Sequence, residues 1–109
     1  MAKILLKFGP AVVREIPITK LPLTIGRKPD NDLVIDNPTV SSHHARIARE
    51  AGGYIIEDLN SLNGTFLTNR DAHDKKIIKA GLKDGDQVII GKHTLVFADD
   101  GGAIIEDPK

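Results

Sequence analysis

Three short runs in this 109-residue chain carry side chains suited to holding an oxyanion. Gly26-Arg27 offers a guanidinium that stays charged and whose planar fork can address a phosphate through two N–H bonds. Ser41-Ser42-His43-His44 offers hydroxyls beside backbone N–H groups. Leu62-Asn63-Gly64-Thr65 offers a side-chain amide on a turn, able to donate and to accept. Taken singly, each has an ordinary structural explanation: a solvated arginine after a turn glycine, a loop serine near a hydrogen-bonded histidine, an Asn-Gly turn. Taken together at strand ends, they are the parts needed to hold a phosphorylated side chain.

The elements that would position them read as short strands. Apolar runs at Ile4–Phe8, Val12–Ile18, Leu23–Ile25, Leu33–Ile35, Tyr54–Leu59, Thr65–Leu67, Gln87–Ile90 and His93–Ala98 are separated by turn residues. His44–Arg49 alternates small or apolar with charged residues, the period of a half-buried strand. Gly52-Gly53 and Gly91-Lys92 mark hairpins. No window sustains a 3.6-residue period with caps. Strands at about ten-residue spacing predict an all-β sandwich or barrel. His44 then starts a strand pointing inward and fixes the loop that carries Ser41. Residues 1–98 form the expected domain. From Asp99 the chain turns acidic and Gly-rich and ends after a proline, which reads as a tail or linker over 99–109.

Composition narrows the function classes. Hydrophobic residues make up 40%, with three Phe, one Tyr and no Trp, so one aliphatic core is expected. Lys plus Arg is 15 and Asp plus Glu is 15. A neutral chain does not blanket nucleic acid or an anionic membrane, so any anion must meet a local cluster. Cysteine is absent, which rules out disulfides and thiolate metal sites and suits a reducing compartment. No apolar run approaches membrane-span length, and the N-terminus lacks a signal-peptide pattern. A cytoplasmic monomer without cofactor is the expectation.

Other chemistry fits poorly. Ser41, His44 and Asp58 invite comparison with a hydrolase triad, but Ser41 sits three residues before His44 at a strand start, and there is no Gly-x-Ser-x-Gly elbow. Asp30-Asn31-Asp32 and Asp36 suggest a calcium loop. The EF-hand spacing would need a polar ligand at Val34, a glycine at Ile35 and an acid at Ser41. His43 and His44 are adjacent and on a strand would face opposite ways, so they cannot share a metal.

The order Gly-Arg, Ser-x-x-His, then Asp58-Leu59-Asn60-Ser61-Leu62-Asn63-Gly64-Thr65-Phe66 resembles the forkhead-associated domain, a phosphothreonine-binding module. Leu82-Lys83-Asp84-Gly85-Asp86 followed by Val88-Ile89-Ile90-Gly91 is similar to a later stretch of that family. The resemblance implies a sandwich of about eleven mostly antiparallel strands with peptide held by loops at one end, on Ser/Thr-kinase signalling partners. It implies that Arg27 and Ser41 contact the phosphate, with Ser42 and Leu62 beside them, that Asn63 binds the peptide backbone, and that Gly26, His44 and Gly64 are architectural. It implies no catalysis. It also implies a pocket for the threonine methyl. Two positions depart from the family pattern: Ser42 stands where Arg or Asn is common, and Leu62 where Thr is common. An extra residue before Asn69 suggests a longer loop over residues 70–76. A domain that keeps this fold but binds unphosphorylated surfaces is the alternative.

Overall fold

The computed structural model describes residues 2–68 and 74–99. Eleven strands form two sheets. They are β1 (Ala2–Phe8), β2 (Ala11–Pro17), β3 (Leu23–Gly26), β4 (Leu33–Val34), β5 (Ala45–Glu50), β6 (Gly53–Asp58), β7 (Thr65–Thr68), β8 (Lys75–Ile77), β9 (Lys79–Leu82), β10 (Gln87–Ile90) and β11 (His93–Asp99). One sheet has the order β2-β1-β11-β10-β7-β8 and the other β4-β3-β5-β6-β9. All pairings are antiparallel except β3 with β4.

The period-2 pattern decides which side chains go in. Ala2, Ile4 and Leu6 of β1 are buried, as are Ala45 and Ile47 of β5 and Leu95 and Phe97 of β11, while their neighbours face out. With Ile25, Ile56, Val88 and Ile90 they form one aliphatic core between the sheets. Burying such side chains contributes about 1.5–3 kcal/mol each.

Register places the site. Phe8 pairs with His93, Ile90 with both His93 and Thr65, and Ala45 with both Ile25 and Asp58. The segments after β3, before β5 and between β6 and β7 therefore emerge at one end of the sandwich.

Some expectations need correction. His44 precedes β5 rather than belonging to it, though its N–H still bonds Ile25 O at 2.8 Å. Lys75 and Lys76 lie in β8, not in a loop. Asn69 and residues 70–73 of the expected longer loop lie outside the described residues. Asp99, expected to open the tail, instead closes β11 opposite Ala2; residues 100–109 lie outside the described residues.

Candidate functional site

The residues after β3 run beside the segment before β5. Arg27 N–H donates to Ser41 O at 2.9 Å and Lys28 N–H to Ser42 O at 3.3 Å. Close approach requires Gly26. A Cβ there would lie 2.3 Å from Ser42 O and 2.7 Å from Asn31 Nδ2. The Asn31 amide sits in that space, 6% exposed, and donates to Lys28 O and Ser42 O, both at 2.8 Å. Two carbonyls fix which way this amide faces, because its oxygen could bond neither. Its Oδ1 is buried without a protein partner among the described residues.

His44 is fully buried beneath these loops. Its Nδ1 accepts from Ser41 N–H at 3.1 Å, and its Nε2 donates to Gly64 O at 2.9 Å. An amide donor on one nitrogen and a carbonyl on the other assign the ring proton to Nε2. Leu59 N–H donates to His44 O at 2.9 Å. One histidine thus joins the serine loop to the β6–β7 turn. Both ring nitrogens are spent on backbone, so His44 makes no bond to the Ser41 hydroxyl that a triad would need. His43 instead faces Asp30, with Nε2 at 3.0–3.1 Å from its carboxylate oxygens.

The β6–β7 turn is built on Asp58. Its carboxylate accepts from Ser61 Oγ at 2.5 Å, Thr65 Oγ1 at 2.7 Å and Ser61 N–H at 3.1 Å. Partial burial pushes the Asp58 pKa up. The Ser61 and Thr65 hydroxyls and the Ser61 N–H outweigh that and hold it below the ordinary 3.8. Gly64 takes φ 89°, a left-handed value that side chains rarely adopt, while donating its N–H to Ser61 Oγ at 3.0 Å.

These supports leave a defined set facing solvent. Arg27 is exposed, and its Nε donates to Val40 O at 3.0 Å. That bond aims the terminal nitrogens, which have no partner among the described residues. Ser41 Oγ accepts from Leu62 N–H at 3.0 Å, which leaves the hydroxyl proton free to donate. Asn63 Nδ2 donates to Thr39 O at 2.9 Å, leaving the amide oxygen to accept. Ser42 enters through its carbonyl. Leu62 is 88% exposed. Arg27, Pro38–Ser42, Leu62 and Asn63 line a cleft of about 290 Å³. A larger one, about 790 Å³, opens at the other end around Tyr54, Leu67, Leu82 and Asp86, away from every one of these residues.

The structure brings together all eight residues singled out from the sequence. Sequence reasoning missed Asn31, Thr39 and Asp58 as supports. Asp30-Asn31-Asp32 was readable only as a set of polar ligands, whereas Asn31 acts from a buried position. Thr39 contributes its carbonyl, which leaves no trace in residue type. Asp58 with Ser61 three residues on is a turn signal that could have been found.

The FHA domain family model matches residues 23–91, from β3 past the end of β10. The oxoglutarate dehydrogenase inhibitor of Corynebacterium diphtheriae is 36% identical over 94 residues, which cover 86% of this chain and 62% of that protein. The glycogen accumulation regulator GarA of Mycolicibacterium smegmatis is 36% identical over 107 residues, covering 94% and 65%. The chain thus spans less than two thirds of the length of these relatives. Mycobacterium tuberculosis EmbR, solved in complex with a low-affinity phosphopeptide, superposes with a TM-score of 0.75 at 32% identity, over 89% of this chain and 24% of that one. The chain belongs to the forkhead-associated (FHA) domain family.

Proposed function

We propose that this domain recognises phosphothreonine on partner proteins in Ser/Thr-kinase signalling, as a monomeric, non-catalytic cytoplasmic module. The observation that carries the reading is the pairing of Arg27 and Ser41 at the cleft. The Arg27 fork is aimed by Val40 O, and the Ser41 hydroxyl already accepts from Leu62 N–H, so its proton stays available to donate to a ligand. A phosphate dianion meets a charge and a donor held by the backbone, with little ordering left to do on binding. Asn63, anchored by Thr39 O, presents its oxygen to a peptide N–H. Pro38, Val40 and Leu62 give the cleft apolar wall for a threonine methyl. The EmbR complex supports the reading, since a similar domain was solved with a phosphopeptide bound.

The expected Kd is micromolar, about −8 kcal/mol. Calorimetry with a phosphothreonine peptide and its unphosphorylated twin tests it: equal binding would mean that the fold serves phosphate-independent contacts. Phosphothreonine should exceed phosphoserine several-fold, because a buried methyl contributes about 0.8 kcal/mol. Equal affinities would mean that no methyl pocket exists.

A further inference from the structure

The dipeptide that carries the candidate binding amide, Asn63-Gly64, is the one in this chain best able to lose that amide. In such a pair the nitrogen of the second residue can attack the asparagine side-chain carbon, and glycine has no Cβ to hinder the approach. The other asparagines precede Asp32, Pro38, Ser61 and Arg70, each with a side chain in the way and, at Pro38, no N–H. In the reaction Gly64 N gives its proton to base and bonds Asn63 Cγ. The Cγ–Nδ2 bond breaks, and ammonia leaves behind a five-membered succinimide. Water then opens that ring to aspartate or isoaspartate. No oxidant or cofactor is consumed, only water.

The fold opposes this step at both reacting groups. Asn63 is exposed, but Gly64 is buried and its N–H is tied to Ser61 Oγ at 3.0 Å. Ser61 Oγ in turn donates to Asp58 Oδ1 at 2.5 Å. On the other side Asn63 Nδ2 donates to Thr39 O at 2.9 Å, which fixes the amide. Thr39 cannot follow it, because its own N–H and Oγ1 both donate to Asn37 Oδ1, at 3.0 and 2.6 Å. Ring closure must break both holds: the attacking nitrogen sheds the proton that Ser61 accepts, and Cγ must turn toward it and away from Thr39. Ser61 and Asp58 line up as a path for that proton, but a carboxyl held below 3.8 is far too weak a base to draw it from an amide.

We propose that Asn63-Gly64 is a latent modification site, a deamidation switch that Ser61 and Thr39 hold shut and that opening of the β6–β7 turn releases. Its effect on binding rests on the phosphothreonine reading. The product carboxylate has no N–H for Thr39 O, and it puts a negative charge in the cleft proposed for the phosphate. Isoaspartate also lengthens the main chain by one carbon at the turn. Either product should weaken phosphopeptide binding about tenfold or more.

The test incubates the whole chain at mildly alkaline pH, native and in urea, and follows Asn63 by peptide mapping and isoaspartate labelling. In urea Asn63 should convert ahead of every other asparagine. The native chain should convert more slowly, and an excess of phosphothreonine peptide should slow it further. Ser61→Ala, checked as folded by circular dichroism, should speed native conversion about two- to tenfold, the rate equivalent of one ordinary hydrogen bond. Ser61→Thr, which keeps the hydroxyl, should convert like the wild type. Equal rates for native and unfolded wild type overturn the inference, whether or not Ser61→Ala folds. So does a Ser61→Ala rate at or below that of the wild type, which would make Ser61 and Asp58 a relay for the proton. The converted protein carries an extra negative charge and separates by ion exchange. Equal phosphopeptide affinity of the two fractions would remove the switch. Phosphate-independent binding by the unconverted fraction is a different result: it would remove the parent reading and leave the chemistry at Asn63 standing.

Discussion

The Thr39–His44 segment and the Leu59–Gly64 turn face each other across the cleft but are held by different means. The first rests on buried groups: His44 beneath Ser41, and Asn31 under the Ser42 carbonyl. The second is folded on Asp58 and leans on the first through His44, Ser41 Oγ and Thr39 O, while its tip side chain stands in water, with Leu62 88% exposed. The difference separates two properties. The geometry of the proposed phosphate end depends on the core, so errors there cost folding. The strength of binding depends on exposed side chains, so changes there alter affinity and leave the fold alone.

The sharpest way to test this division is Arg27→Ala. The side chain is exposed and makes one bond, to Val40 O, so the melting temperature should hold. Phosphopeptide binding should fall by about 2–5 kcal/mol, the cost of removing one partner of a hydrogen-bonded charge pair. Arg27→Lys should recover little, since an ammonium lacks the fork. Titration within twofold of wild type would place the phosphate elsewhere.

His44→Ala should do the reverse. It leaves the Ser41 N–H and Gly64 C=O buried without partners, at about 1–3 kcal/mol each, and opens a cavity. Thermal unfolding should shift down markedly. An unchanged melting temperature with lost binding would make His44 a ligand contact and break the distinction between the two loops.

A smaller effect comes from the tip. Leu62→Thr restores a hydroxyl where the family commonly has one, and a hydrogen bond to a charged group is worth about 1.5–3 kcal/mol before loop relaxation and water take their share. Several-fold tighter binding to phosphopeptide is expected. An exposed leucine leaves no cavity, so stability should stay within about 0.5 kcal/mol. Weaker binding with a lower melting temperature would show that the tip is part of the packing after all.

The smallest effect is the pH dependence of the turn's base. Asp58 has a folded-state pKa below its ordinary 3.8. Its ionised form therefore contributes stability that is fully present above that value and is lost as pH falls below it through the folded-state pKa. Acid unfolding of the wild type should show this loss, and Asp58→Asn should lack it. Identical acid profiles for the two proteins would show that the carboxylate is not what holds the turn.

Much of this was legible in the sequence because it rests on local pattern. Alternation in β1, β5 and β11 and turn dipeptides between strands announce the sandwich. Ordered polar motifs at strand ends announce the site. What was hidden is non-local. Lys75–Ile77 is mostly exposed, and Lys79–Leu82 alternates only through the small residues Ala80 and Gly81 before the buried Leu82, so neither β8 nor β9 gives a strong periodic signal. Asn31 looks like any loop polar residue until Gly26 and Ser42 close over it. Thr39 and Gly64 act through carbonyls, which every residue carries.

The pairing of β1 with β11 sets the molecule's polarity. Ala2 meets Asp99 at one end of this ladder, and Phe8 meets His93 at the other. A seven-residue strand separates those ends by about 20 Å. His93 shares its level with Ile90 and Thr65, hence with the binding loops. The domain therefore carries its candidate binding loops at one pole and the paired Ala2 and Asp99, side by side, at the other. The candidate loops and that pair thus sit at opposite ends of a spacer about 20 Å long.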